Sequence, residues 1–527
     1  MATYARQIFI QQPNRMFVRC LIVTEKRARL FHFDRSGAQF TESFDIHTHA
    51  GATTFVRLVL GLCSINEQVL GFDTSVQWTV RADGVRTSGV VKTQVPVPDD
   101  QAVKTVEYDL VLTEVPFFRS NIRGRGTVCW PVKDLSCGKR YLVKDYWMSE
   151  GRTPEYELLQ KIRDLPGVCQ MVSYELGRDE TKDFRGGIEF VLEGAFHNRK
   201  SIRIVMEYYG TPIDTFVSAK EMLSALRDAV AAHEKLLDKD LLHRDLSNTN
   251  ILLGPDPDKV GYRGILIDFD MGVSISDRRI SEICKDFRTG TPIFYSLVML
   301  RMFQKKEAPA HDYLDELEAF FWIFCYLIFK FTADGDDAPK NAITDDIDKD
   351  WRANPKNSYD AKFRFLHEES SEASVKASLH ESWHPTCLDL FIHLKAKMSE
   401  LARQREKRLD EKMDPLPDGT IPNRFASILE HGKKNYAHIL SLIDAALEKV
   451  ESQPQKLPPR ARRLRTLTLP GWQSVLALKS ASTRRGSKRR TQETAEEESP
   501  TKPKRKRAKG RSQLSQTVTN ATDADQD

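Results

Sequence analysis

In the stretch LLHRDLSNTNILL, Leu241 to Leu253, a short polar run lies between two apolar segments. His243, Arg244, Asp245 and Asn250 fit the spacing H-R-D-x-x-x-x-N. Three more residues have matching chemistry. Lys144 ends the apolar segment YLVK, Glu155 comes early in the helical segment after it, and Asp268 closes GILI. Phosphoryl transfer from ATP needs such a set: a base or orienter for the attacking hydroxyl, oxygen ligands for Mg2+, and a fixed cation on the phosphates. Mg2+ is a hard ion that prefers carboxylate and amide oxygens, which Asp268 and Asn250 offer. Apolar flanks anchor the polar loop to rigid structure, which holds its side chains to the tolerance catalysis needs.

The elements that must position these residues can be read from periodicity. TVCWPV (127–132) and KRYLVKDYW (139–147) predict strands. TPEYELLQKIRDL (153–165) predicts a helix, with Leu158, Leu159, Ile162 and Leu165 at helical spacing and Pro154 in the first turn. SIRIVMEYYG (201–210) predicts a buried strand ending in Gly. SAKE (218–221) fits a capping box, and Met222, Leu226, Val230, Leu236 and Leu237 continue at helical spacing. GILIDFDMG (264–272) predicts a short strand, and helical patterns dominate from 311 to 450. Upstream, residues 1–115 read as β-rich. MFVRCLIV and ARLFHF are strand-like around the turn TEKR; DRSG (34–37) is a second turn before AQFTESFDI; TTFVRLVLGLC is helical. No Pro/Gly-rich linker separates this region from residue 116, so it is expected to pack on the adjoining segment from 116 onward or to continue it.

Composition bounds the class. The 527 residues are 40% apolar and 29% charged, enough for a large core. The net charge of +5 is uneven, with basic residues crowded in the C-terminal tail. Eight cysteines at irregular spacing, none as C-x-x-C, favour reduced thiols and an intracellular protein. MATYARQIF lacks the apolar core of a leader, and AFFWIFCYLIF (319–329) is too short to span a bilayer, so no membrane insertion is expected. Residues 451–527 are rich in Pro, Ser, Arg and Lys and are expected to be disordered. RRGSKRR (484–490) and KPKRKRAKGR (502–511) predict recognition by a nuclear import receptor, hence a nuclear or nuclear and cytoplasmic location. Nucleic-acid contact through phosphates stays open but unsupported, since Trp472 is the tail's one aromatic for base stacking.

Three other signals carry less. His47 and His49 form H-x-H, a metal-binding spacing on a strand face, without a third ligand nearby. HESWH (380–384) fits H-E-x-x-H, but Pro385 should pull His384 away from helical angles, so a helix terminus is the better reading. The acidic stretch 334–350 lacks the Gly and terminal Glu of a calcium loop and reads as a solvated insertion.

GRGT (124–127), LVKDYW (142–147), IVMEYYG (204–210), HRDLSNTNILL, LIDFD (266–270), RTGTPIF (288–294) and DELEAFFWI (315–323) come in an order that resembles the protein kinase superfamily. Within it the chain is most similar to the fungal-type protein kinases expanded in mushroom-forming fungi, over roughly residues 15 to 430. The resemblance implies an α+β, bilobal kinase-like fold. Residues 1–115 would form a β-rich extension, 116–215 the N-lobe, 216–450 the helical C-lobe and 451–527 a disordered basic tail. It implies Asp245 as catalytic base, Asn250 and Asp268 as Mg2+ ligands, and Lys144 on the ATP α- and β-phosphates. Glu155 would pair with Lys144, with Glu157 as fallback, and Arg244 would pair with a phosphorylated segment carrying Ser274, Ser276, Ser281, Thr289 or Thr291. Met206 would be the gatekeeper, Glu207 and Tyr209 would offer backbone groups to adenine, and Gly124 and Gly126 would let backbone approach phosphate.

Several positions depart from the family pattern. The loop lacks a third Gly. Asp270 replaces the Gly of D-F-G, where a left-handed conformation is anticipated. Ser247 replaces a Lys, so neutralising charge must come from elsewhere. Val298 replaces the Glu of A-P-E, so a bracing ion pair should be missing. Glu316 stands where an Asp pins the catalytic-loop backbone, with Asp315 as a possible substitute. The expected activity is an ATP-dependent protein kinase acting on Ser/Thr more than Tyr. A catalytically weak pseudokinase scaffold and a small-molecule phosphotransferase are the alternatives, and Arg244 argues against the latter.

Overall fold

Alternating apolar residues build the N-terminal part into two sheets. Helix α1 (Ala2–Gln11) buries Ala5 and Phe9 against Val18 and Phe33. Strands β1 (Phe17–Val23) and β2 (Arg27–Asp34) pair antiparallel, with Phe17 opposite Asp34 and Val23 opposite Ala28. The DRSG turn leads into β3 (Gly37–Phe40), and β4 (Phe44–Asp45) pairs with the start of β2. Helix α2 (His49–Leu62) starts where the Thr48 side chain accepts the Gly51 N–H. His47 and His49 therefore share no strand face, and the His47 ring sits 2.8 Å from the Glu25 carbonyl. Among the described residues no three His, Cys, Asp or Glu side chains converge to hold a metal ion.

After α3 (Glu67–Leu70) come β5 (Val76–Val80), β6 (Arg86–Pro96), β7 (Val103–Leu110), β8 (Phe117–Phe118), β9 (Val128–Asp134) and β10 (Arg140–Ser149). Helix α4 (Glu155–Lys161), β11 (Met171–Glu175) and β12 (Arg199–Glu207) complete this part. Pro154 is the N-cap of α4 rather than part of its first turn, and the helix is shorter than its apolar spacing predicts. The larger sheet has the order β11-β12-β10-β9-β7-β6-β5, with β8 beside β9. Strands from the first 115 residues thus extend the sheet that carries Lys144. Val76, Val91 and Tyr108 share one apolar cluster with Trp130, Val143 and Val205.

Helix α5 (Ala219–Asp238) opens the helical part. Ser218 Oγ accepts the Glu221 N–H at 3.2 Å, but the Glu221 carboxylate takes the Val217 N–H at 2.9 Å, so the SAKE box closes one residue upstream of the expected position. Short strands β13 (Leu241–Leu242), β14 (Ile251–Leu253), β15 (Gly264–Leu266) and β16 (Val273–Ser274) form two ladders, β13 with β16 and β14 with β15. Then come α6 (Leu297–Lys305), α7 (Tyr313–Lys330), α8 (Ala342–Lys349) and α9 (Pro355–His367). The last helices are α10 (Glu372–Ser378), α11 (His384–Leu409), α12 (Ala426–Leu429) and α13 (Gly432–Glu451). AFFWIFCYLIF lies in α7, which is buried on all sides and forms the centre of the core. No described helix is long and apolar enough to cross a membrane.

Two expectations need correction here. The stretch 334–350 is more than a solvated insertion: its second half is α8, started by an Asn341–Thr344 capping box and anchored by buried Ile347. His384 takes helical angles, φ −54° and ψ −44°, although Pro385 comes directly after it. A proline is tolerated there because the pair opens α11, where its missing N–H has no helical partner to lose. The His384 ring meets the Lys376 and Leu379 carbonyls, each at 2.9 Å, so H-E-x-x-H marks a helix start.

The computed structural model describes residues 1–82, 86–96, 103–114, 116–186, 196–276, 290–305, 311–368, 372–409, 411 and 426–452. Ser281, Thr289 and the basic runs 484–490 and 502–511 lie outside the described residues. The seven described cysteines are free thiols.

Candidate active site

Lys144 sits mid-sheet on β10, opposite Cys129 of β9 and Ile204 of β12. Its Nζ lies 2.7 Å from Glu155 Oε2 and 2.5 Å from Asp268 Oδ1. Glu155 is the first residue of α4 and also accepts the Phe269 N–H at 3.0 Å, so one carboxylate ties strand, helix and the D-F-D segment together. Glu157 lies exposed, so the ion pair belongs to Glu155. Burial alone would lower the Lys144 pKa. The Asp268 and Glu155 carboxylates outweigh it and hold the amine well above its ordinary value, as a fixed cation.

The two ladders clamp residues 243–250 from both sides. Leu241, Leu242, Ile251 and Leu253 are buried, which answers why apolar runs flank the polar loop. Inside the loop, Asn250 Nδ2 donates to the Asp245 carbonyl at 2.8 Å, and the His243 ring meets the Ile267 carbonyl at 2.9 Å. Arg244 is buried with a left-handed φ of 65°, a strained conformation typical of over-determined functional segments. The strain is held by Glu316 of α7, whose carboxylate accepts the N–H groups of both His243 (3.2 Å) and Arg244. Glu316 thus pins the loop itself. Asp315 instead takes Arg405 of α11 at 2.9 Å, while Asp312 takes the same guanidinium at 3.1 Å. Val298 is buried in the apolar core, and this Arg405 cluster braces the helices beside it.

Asp245 faces inward. Thr291 Oγ1, anticipated as a phosphate carrier, donates to its Oδ1 at 3.0 Å. Ser274 and Ser276 are both bonded to the Asp240 carboxylate. Burial, and next the charge of Asp268, push the Asp245 pKa up from the usual carboxylate value. Burial pushes Asp268 the same way, but Lys144, Arg125 and Arg119 override it and keep that carboxylate ionised far below its ordinary range. The two interacting carboxylates are therefore driven apart, one suited to accepting a proton and one to holding a cation.

The left-handed residue of the D-F-D segment is Asp268, at φ 67° and ψ 65°. Asp270, the anticipated position, lies in the next turn, a short 3-10 helix, and has no positive φ. Its carboxylate pairs with Arg125, the middle residue of the GRG turn. Gly124 and Gly126 have φ of 132° and 52°, and a Cβ on Gly126 would strike the Arg35 side chain at 2.3 Å. Arg119 lies 3.5 Å from Asp268 Oδ2. Arg119 and the Arg125 pairing escaped sequence reading, because each contact joins residues far apart in the chain. The doublet of Gly around Arg125 was the one local signal.

Met206 is buried near the end of β12, with Glu207 and Tyr209 after it. The Glu207 N–H is taken by the Gln170 carbonyl at 3.0 Å, and the Tyr209 hydroxyl accepts the Gln170 N–H at 3.0 Å. Ser247 is buried, its Oγ 3.0 Å from Thr249 Oγ1.

The family model for fungal protein kinases matches residues 1–328. The chain belongs to that family. No curated protein matches it. The family match starts at residue 1, so it takes in the strands that precede β9, and it ends within α7.

Proposed function

We propose that this fungal protein kinase is an active, ATP- and Mg2+-dependent enzyme that transfers the γ-phosphate to protein hydroxyls, Ser/Thr ahead of Tyr. Its frame would be bilobal, residues 116–215 and 216–450, with 1–115 packed on the first lobe. The observation that carries the reading is the convergence of Lys144, Glu155 and Asp268 in one ion-pair cluster, whose Asp268 charge also acts on Asp245.

In this reading Asp245 orients the attacking hydroxyl and receives its proton, for which an upward-shifted carboxyl is suited. Lys144 holds the α- and β-phosphates, and Glu155 keeps Lys144 in place. Asn250 has its nitrogen on the Asp245 carbonyl, so its Oδ1 is the atom left for a hard cation, and Asp268 adds an ionised carboxylate. Two protein oxygens suit Mg2+, which keeps waters and shares phosphate oxygens. When bound, Mg-ATP supplies the transferable phosphoryl group. Met206 serves as gatekeeper, Glu207 and Tyr209 border adenine, and Gly124 and Gly126 admit phosphate to the backbone. The basic tail supports nuclear import.

A second reading, a scaffold that binds nucleotide without turnover, draws on Asp268 being shared by Lys144 and Arg119, which compete with a metal ion for it. Thermal shift and phosphotransfer on wild type and Asp245→Asn separate the two. Mg-ATP should stabilise both proteins, while transfer in the variant falls by about 100-fold or more. Unchanged turnover in Asp245→Asn removes Asp245 as base. Stabilisation of wild type by Mg-ATP with no turnover on any substrate selects the scaffold.

A further inference from the structure

We infer that Arg125 is a catalytic residue that contacts the γ-phosphoryl group, and that Asp270 is the residue that positions it. This rests on the kinase reading above and supplies the neutralising cation that Ser247 does not.

The backbone of Arg125 is fixed on both sides. The Gly124 N–H donates to the Arg35 carbonyl at 3.0 Å, and the Trp147 N–H of β10 donates to the Arg125 carbonyl at 2.7 Å. Both flanking glycines adopt φ values that L side chains rarely take, so the turn presents Arg125 at its tip. The guanidinium then crosses to Asp270, two residues beyond the proposed metal ligand. The Asp270 side chain is 2% exposed and that of Arg125 24%. The pair is thus buried at the acid and open at the cation. A buried carboxylate is unfavourable unless paired and hydrogen-bonded, yet Asp270 Oδ2 has no partner. Arg125 is held by one of its two nitrogen forks. An arginine carries five N–H donors, so the others are available to a phosphate. After Asp270, the carboxylates of Asp268 and Asp245 are the next charges that act on this guanidinium.

In the transfer step the bond from the γ-phosphorus to the ADP oxygen breaks, and a bond to the substrate hydroxyl oxygen forms. The hydroxyl proton passes to Asp245. Arg125 gains and loses no proton; it balances charge on the equatorial phosphoryl oxygens, as an arginine supplied in cis does in some GTP-hydrolysing enzymes.

The test is calorimetric affinity for Mg-ATP and for Mg-ADP, with phosphotransfer rates, on wild type, Arg125→Met, Arg125→Lys and Asp270→Asn. A γ-phosphate contact predicts that Arg125→Met abolishes any preference for ATP over ADP and leaves ADP affinity unchanged. It also predicts a kcat loss of about 100-fold, partly restored in Arg125→Lys. Asp270→Asn should lower kcat less and leave KM unchanged. Because Arg125→Met strands a buried carboxylate, Arg125→Met/Asp270→Asn is measured beside it and must show the same lost preference. An ATP preference that survives in both overturns the inference and leaves the kinase reading intact. A wild type that binds neither nucleotide overturns the reading itself.

Discussion

The Glu316 carboxylate accepts two backbone N–H groups of the 243–250 loop and meets the rings of His233 and His311. Burial would raise its pKa, but the two histidines and the hydrogen bonds hold it well below its exposed value of 4.5. The folded-state pKa is the depressed one. Its stabilisation is therefore complete above about pH 4.5 and is lost as the pH falls through the folded value. Glu316→Gln should lower stability by roughly 3 kcal/mol. It should also flatten the acid limb of a denaturation series and cut kcat more than KM, because the Arg244 backbone relaxes. An acid limb as steep as that of wild type would contradict this. At this scale the sequence is informative about local patterns: Asp245 and Asn250 are legible from their spacing within one loop, and Lys144 from the apolar strand that carries it. Arg125 with Asp270 and Arg405 with Asp315 are not, since nothing local states which distant charge a buried charge will meet.

The DRSG turn joins β2 to β3 and also ties the first sheet to the segment between β11 and β12. Asp34 is fully buried and takes both forks of Arg185, each bond 2.7 Å, while Ser36 Oγ donates to the His197 carbonyl at 2.6 Å. Arg35 stacks on Phe9 and abuts Gly126 of the GRG turn. A buried pair that loses one partner leaves an uncompensated charge. Asp34→Ala should therefore destabilise the protein by about 3–5 kcal/mol, read as a fall in the chemical denaturation midpoint. A change within about 0.5 kcal/mol, the size of an ordinary surface substitution, would show that the turn is not an anchor. Elements were legible in proportion to their pattern. The strands β1, β2, β10 and β12 and the helices α5 and α7 can be read from alternation or helical spacing. Helix α1 is weakly patterned, and α8 is masked by its acidic residues, with Ile347 and the partly buried Ile343 as its contacts to the core.

At the scale of the whole chain, the larger sheet does not stop at residue 116. Strand β7 pairs with β9, Tyr108 opposite Asp134 and Leu110 opposite Val132, and β6 and β5 continue outward. Arg203 of β12 bonds Asp73 at 3.1 Å and the Lys92 carbonyl at 2.7 Å, so the first 115 residues also satisfy a buried cation of the kinase sheet. Removing them would expose Trp130 and Val132 and leave Arg203 short of partners. Residues 116–452 alone should be insoluble or lack a cooperative melt by circular dichroism. A soluble fragment with a wild-type melting curve would mean that the extension is a separate module. The continuity was legible only as the lack of a linker; strand order depends on contacts between segments that sequence spacing does not record.

The central claim is a metal-dependent transfer centred on Lys144, Asp245 and Asp268. Transfer of radiolabel from γ-labelled ATP to a generic basic protein substrate, with Mg2+, tests it most directly on wild type beside Asp268→Ala. The account predicts incorporation in wild type that needs Mg2+ and disappears in Asp268→Ala. Equal incorporation in both proteins would contradict it.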